Sequence, residues 1–281
     1  VYSRSCAACH GRDGRGDAAA AAELDPWPRD FVTGKYRVRS THSGEPPRRA
    51  DVEGVVRRGL PGTTMPAFGG LLSEERIADV VTFILGVGPR RPIGREPEAL
   101  RIPEFPDAQP ADLADGRAVY LVLGCWKCHG LNGGGRGPSA KGLRSDEGPR
   151  LMPRDFRYEP FKSGRSPATV ARAALSGFIG TPMPSRAEIM VIPREAIDAY
   201  EESIPAHVRS QLVTFRSTAP SAAELATMDD DAWEALRDEN LVALAHYVLS
   251  LDRRHGFFYR VFRQRPESEG RPPRLEESTR E

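Results

Sequence analysis

The sequence predicts a mainly α protein built as two tandem helical units, with much irregular loop structure around them. Three observations carry that expectation. All four cysteines fall in two identical frames, Cys6-Ala7-Ala8-Cys9-His10 and Cys125-Trp126-Lys127-Cys128-His129, 119 residues apart. Two of the five methionines, Met65 and Met183, stand in matching turns, "GLPGTTMP" at 59–66 and "GFIGTPMP" at 177–184, 118 residues apart. Each half then closes on a segment whose apolar residues recur at helical spacing.

A chain of 281 residues suits two domains. Hydrophobic residues at 39% and aromatics at 7% are modest for packed cores, and 25 prolines with 27 glycines imply irregular backbone. Such an interior needs something else to fill it, and a large cofactor would serve. The formal net charge of +1 speaks against a nucleic-acid binder and against an acidic tail. No apolar run reaches the roughly 18 residues a membrane span needs, and no signal peptide is visible. The chain opens abruptly at Val1, so an export signal or anchor removed upstream is expected.

Cys-x-x-Cys alone fits a dithiol redox pair or half of a zinc site. Neither requires a histidine directly after the second cysteine, and certainly not twice. The two pairs are also much further apart than the roughly 15–20 residues usual within a zinc ribbon. Cys-x-x-Cys-His is the attachment frame of covalent haem c. Each thiol forms a thioether with a haem vinyl group, and the adjacent imidazole reaches the iron.

With these frames the chain resembles a tandem dihaem c-type cytochrome whose halves are similar to class I cytochrome c domains, over about 1–88 and 112–252. The resemblance implies two cytochrome c-like helical domains, each wrapped around one covalent haem held by Cys6 and Cys9 or by Cys125 and Cys128. It also implies export to the bacterial periplasm or the outer face of the inner membrane, and electron transport as in a respiratory chain. In such folds the last helix crosses the helix that leads into the haem motif.

Met65 lies 55 residues after His10, and Met183 lies 54 after His129. That match is what one His/Met ligand pair per iron requires: His10 with Met65, and His129 with Met183. A thioether is a soft ligand that raises the haem potential. Pro66 and Pro184 bias the preceding Met towards extended backbone, and Gly62 and Gly180 permit close approach to a macrocycle. A lone Met is more often core filler, but two in one frame at one distance are not alone. Met152 and Met190 compete for the second iron without sharing that frame.

The remaining elements follow in order. "PRDF" occurs at 28–31 and again at 153–156, each followed by a basic-aromatic stretch, 35–39 and 161–165, whose Arg and Lys suit anionic propionates or plain solvated surface. Ser73 is placed to cap a helix over 73–86, with Glu74 and Glu75 at its positive end. Residues 89–111 form a proline-rich, semi-rigid linker between a first domain at 1–88 and a second at 112–255. The helix leading into the second haem motif is expected over 111–124, with Gly116 allowing a close crossing near Tyr120. Most of the corresponding first helix is missing, since only five residues precede Cys6. Pro138 is the expected carbonyl partner of His129, a bond that makes the ring more electron-donating, whereas His10 has no candidate. A segment at about 186–237 has no counterpart in the first half. Five arginines face twelve acidic residues over 186–240. It reads as a docking element presenting Glu201, Glu202, Asp229, Asp230 and Asp231 to a basic partner, or as a flap over the second haem. The last helix begins after Asp238, and a basic-aromatic, then disordered tail covers 256–281. His42, His207, His246 and His255 have no ligand frame.

The function expected is single-electron transfer between redox proteins such as an oxidase, a dehydrogenase, a membrane complex or another cytochrome, with no catalytic residues of the chain's own. The alternatives are a dihaem peroxidase, which needs one open iron, and a permanent haem subunit of a respiratory or photosynthetic complex.

Overall fold

The computed structural model describes residues 1–89 and 96–254. Pro92, His255 and the tail expected at 256–281 lie outside the described residues. Those described form helices and loops without a strand, apart from one isolated bridge between Arg144 and Arg150.

Helical turns Tyr2–Ser5 and Ala7–His10 carry the first cysteine frame, followed by α1 (Arg49–Arg58) and α2 (Glu74–Val87). Ser73 caps α2 by accepting from the Arg76 amide at 3.4 Å, as its sequence foretells. Ile77, Val80, Val81 and Ile84 of α2 are buried against Tyr2, Phe31, Val52 and Val56. This apolar cluster lies wholly within residues 2–87.

A second cluster is built on α3 (Pro110–Val122), α4 (Pro167–Ser176), α5 (Arg194–Glu201) and α6 (Asp230–Ser250). Helix α6 packs chiefly across α3. A Cβ built on Gly116 would stand 2.0 Å from the Ala243 carbonyl oxygen and 2.7 Å from Tyr247 Cβ, so the crossing requires glycine there. Tyr120 and Tyr247 meet edge to face just beyond, with centroids 5.4 Å apart.

Helix α6 starts two turns earlier than expected. Asp229, not Asp238, is its cap, accepting from the Ala232 amide at 2.8 Å. The added turns are more exposed than the rest of the helix and offer only Trp233 and Leu236 as large apolar residues, which is why periodicity missed them.

The acidic segment at 186–237 is not a solvated flap, because its apolar face is part of the core. Met190, Ile192, Ile197, Ile204, Val208, Leu212 and Phe215 are buried in the second cluster, and Ile197 is fully so. Its acids are partly spent internally: Asp198 and Glu201 pair with Arg216, and Asp229 caps α6. Charge composition concealed an apolar face, so removing the segment would open the core.

The linker also does more than space the halves. The Leu100 amide donates to the Ser40 carbonyl at 2.7 Å, while the Leu100 side chain is buried in the second cluster. Arg101 pairs with Glu234 and Asp238 on α6.

Just beyond α6, the fully buried Asp252 carboxylate accepts from Arg165 and Arg254, each at 2.7 Å. Burial pushes its pKa up, but those hydrogen bonds outweigh burial and hold it well below the usual carboxylate range. A depressed pKa means stabilisation that is fully present above the unfolded value of about 3.9 and fades as pH falls below it. Asp252→Asn should therefore lower stability at neutral pH and flatten its decline below about pH 4, as read by chemical denaturation across pH.

Candidate haem-binding sites

Each cysteine frame folds as one helical turn, Ala7–His10 and Trp126–His129, ending at a glycine with positive φ. None of the four cysteines is in a disulfide, and each is partly exposed. Burial pushes the Cys125 thiol up to about 11.

The two imidazoles are held alike. His10 Nδ1 donates to the Arg29 carbonyl at 3.1 Å, and His129 Nδ1 donates to the Arg154 carbonyl at 3.2 Å. A carbonyl only accepts, so Nδ1 carries the proton and Nε2 keeps its lone pair for a metal. Burial pushes both rings below the usual histidine range, favouring the neutral form that ligation needs. Pro138 does not serve His129. Its neighbours Gly137 and Ser139 donate back to the Cys128 and Lys127 carbonyls, which keeps that loop on the cysteine side of the motif.

The "PRDF" repeat therefore supplies the partner for both rings. Its phenylalanine adds a stack: Phe31 lies 4.6 Å from the His10 ring and Phe156 lies 4.3 Å from His129. The Phe31 and Phe156 amides donate to the Gly14 and Gly133 carbonyls at 2.7 and 2.8 Å. Gly16 and Gly135 let this strand of chain approach, since a Cβ on them would fall 2.6 Å from the Pro28 and 2.4 Å from the Pro153 carbonyl oxygen. A second shared bond joins Tyr2 Oη to the Gly11 carbonyl at 2.9 Å and Tyr120 Oη to the Gly130 carbonyl at 2.7 Å. The sequence shows the "PRDF" repeat but not its role, and the tyrosine pair is marked only by the 118-residue step from Tyr2 to Tyr120.

The methionine turns are superimposable in their bonding. Thr63 Oγ1 donates to the Leu60 carbonyl and accepts from the Met65 amide, and the Leu60 amide donates to the Met65 carbonyl. Thr181, Phe178 and Met183 repeat the pattern. Gly62 and Gly180 take φ of 71° and 76°, which other residues rarely adopt. Met65 and Met183 are both partly buried. Of their competitors, Met152 is exposed, and Met190 is wholly within the core beneath a bond from Asn240 to its carbonyl. His42 and His207 are exposed, while His246 is buried edge-on to Phe105.

Between the halves lies a cavity of about 250 Å³ lined by Arg37, Arg39, Arg58 and Arg172, with Asp51 as its acid. The Nε atoms of Arg37 and Arg172 are buried without a partner. Lys162 is close by in charge terms: burial, then Arg154 and Arg37, push it down to about 8. Arg39 already donates to the Tyr36, His42 and Ser176 carbonyls and Arg37 Nη2 faces Glu147 at 3.6 Å, so Arg172 is the lining cation that best fits a group bringing its own carboxylates. Lys35 and Arg165, by contrast, are already paired with Asp146 and Asp252.

Comparison with known proteins agrees with this geometry. The family model described as cytochrome c oxidase, cbb3-type, subunit III matches residues 1–84, and the cytochrome c family model matches 113–252. The chain is a tandem c-type cytochrome. Domains of this family imply covalent haem c and electron transfer with redox partners. Among solved structures, the tandem cytochrome is similar to a chain of the reducing HAO-like protein complex of Kuenenia stuttgartiensis, at 29% identity and a TM-score of 0.69. The likeness covers 89% of this chain and 93% of that one. A search of curated proteins finds no match. No helix among the described residues of this cytochrome is long and apolar enough to cross a membrane.

Proposed function

We propose that this tandem cytochrome carries two haem c groups, one in 1–88 and one in 112–255, and passes single electrons between protein partners. The observation that carries the proposal is the doubled histidine cradle: one imidazole per half, oriented through Nδ1 by a backbone carbonyl and stacked on phenylalanine. In this assignment Cys6, Cys9, Cys125 and Cys128 would form the thioethers, His10 and Met65 would hold one iron, and His129 and Met183 the other.

When bound, haem iron supplies the one-electron chemistry, at a potential raised by His/Met ligation. The chain's own residues hold and tune it. The Arg29 and Arg154 carbonyls strengthen the donation of His10 and His129. Phe31 and Phe156 exclude water from those rings. The Thr63 and Thr181 turns would present Met65 and Met183, and Arg172 and Lys162 would receive anionic substituents. No proton has to move, so no acid or base is required. Haem c attachment outside the cytoplasm fits a periplasmic or outer-face location, with an oxidase, a dehydrogenase, a membrane complex or another cytochrome as partner. A similar chain belongs to a protein complex, which favours a second reading, a permanent subunit of such an assembly.

Intact-mass measurement after acid-acetone extraction should show two retained haems, and the oxidised protein should show the near-infrared sulfur-to-iron band at both irons. One retained haem would end the proposal. Carbon monoxide should not bind, and rapid peroxide turnover would instead favour an enzyme.

A further inference from the structure

The two proximal cradles differ in one respect: what holds the arginine that supplies the carbonyl. Arg154 is tied by Glu159, five residues away and half exposed, at 3.1 Å. Arg29 is tied by Glu147, 118 residues away in the other half, at 2.5 Å. That contact is largely sheltered, with side-chain exposures of 13% for Arg29 and 25% for Glu147. The second carboxylate oxygen of Glu147 faces Arg37 Nη2 at 3.6 Å. Residues 28–31 are therefore fixed at two points, at Phe31 by the Gly14 carbonyl and at Arg29 by Glu147.

We infer that Glu147 is a positioning residue for the first haem: by clamping Arg29 from the second half, it fixes the carbonyl that orients His10 and so sets that haem's potential. The inference rests on His10 being the proximal ligand of a first haem. A histidine whose Nδ1–H is firmly accepted donates more strongly to its metal, which favours the oxidised state. A sheltered carboxylate also interacts more strongly than an exposed one, because water screens it less. The first haem thus senses whether the halves are docked.

Potentiometric titration of the full-length holoprotein tests this, with the first haem identified as the component that Met65→His lowers. Glu147→Gln should raise that potential and leave the other unchanged, since both the lost carboxylate and the slackened carbonyl act in the same direction. Glu147→Asp should restore part of the shift. Asp146→Asn breaks the neighbouring exposed Lys35–Asp146 pair, at 2.7 Å, and should move neither potential. Adding Arg29→Gln to Glu147→Gln cancels the net charge change, so the shift that survives reports positioning. The inference fails if Glu147→Gln leaves the first potential in place, if Asp146→Asn shifts it equally, or if the double variant returns it to the native value. Mass measurement on each variant separates these outcomes from loss of the haem itself, which would sink the underlying assignment instead.

Discussion

Gly116→Ala is expected to destabilise the second half by about 3 kcal/mol, the upper end of what overpacking costs. The added methyl would meet the Ala243 carbonyl oxygen at 2.0 Å and Tyr247 Cβ at 2.7 Å, and neither can yield without parting α3 from α6. These two helices carry Tyr120, Leu121, Leu241 and Leu244, all almost wholly buried, so the separation would spread through the second cluster. Gly86→Ala is the control. It too lies within a helix, but nothing stands within 4 Å of its Cβ position. Alanine's better helix propensity should make it stabilising by up to about 1 kcal/mol. Thermal unfolding of the two variants should therefore move in opposite directions. A Gly116→Ala protein as stable as the parent would mean that α6 does not cross there.

Cys125→Ser combined with Cys128→Ser is expected to remove one haem entirely. The mass should fall by a single haem, and half of the near-infrared sulfur-to-iron absorbance should disappear. Cys6→Ser with Cys9→Ser should do the same to the other site, and the two residual spectra should sum to that of the parent. Stability should suffer more from the Cys125 and Cys128 substitutions than from those at Cys6 and Cys9: Cys125 packs against the large cluster beside Leu123 and Trp126, whereas Cys6 borders the smaller one. Retention of two haems by either serine variant would show that its frame is not an attachment site.

Much of the candidate site was legible without coordinates because covalent haem attachment is local chemistry. Two thiols and an imidazole must share one helical turn, so Cys6, Cys9 and His10, and their counterparts at 125, 128 and 129, can be read from spacing. Repetition extended that reading to Met65 and Met183, amphipathic spacing located α2 nearly to the residue, and the resemblance to class I domains did the same for α3. The misses have separate origins. Pro138 was a local guess for a partner that lies 25 residues away, at Arg154. The start of α6 was lost because its first turns face water. The segment at 186–237 was judged by its charge, although the apolar residues scattered through it are what the core uses.

The sequence by itself determined the cysteine and histidine frames, the duplication and the helical character, since each depends on residues close together in the chain. Only the tertiary structure decided that Arg29 and Arg154 hold the imidazoles, that Gly116 sits beneath Ala243, and that Glu147 reaches back to Arg29. Those contacts join residues 19, 25, 127 and 118 positions apart. Their geometry depends on how the helices pack, and packing is set by the whole buried surface at once rather than by any short stretch of chain.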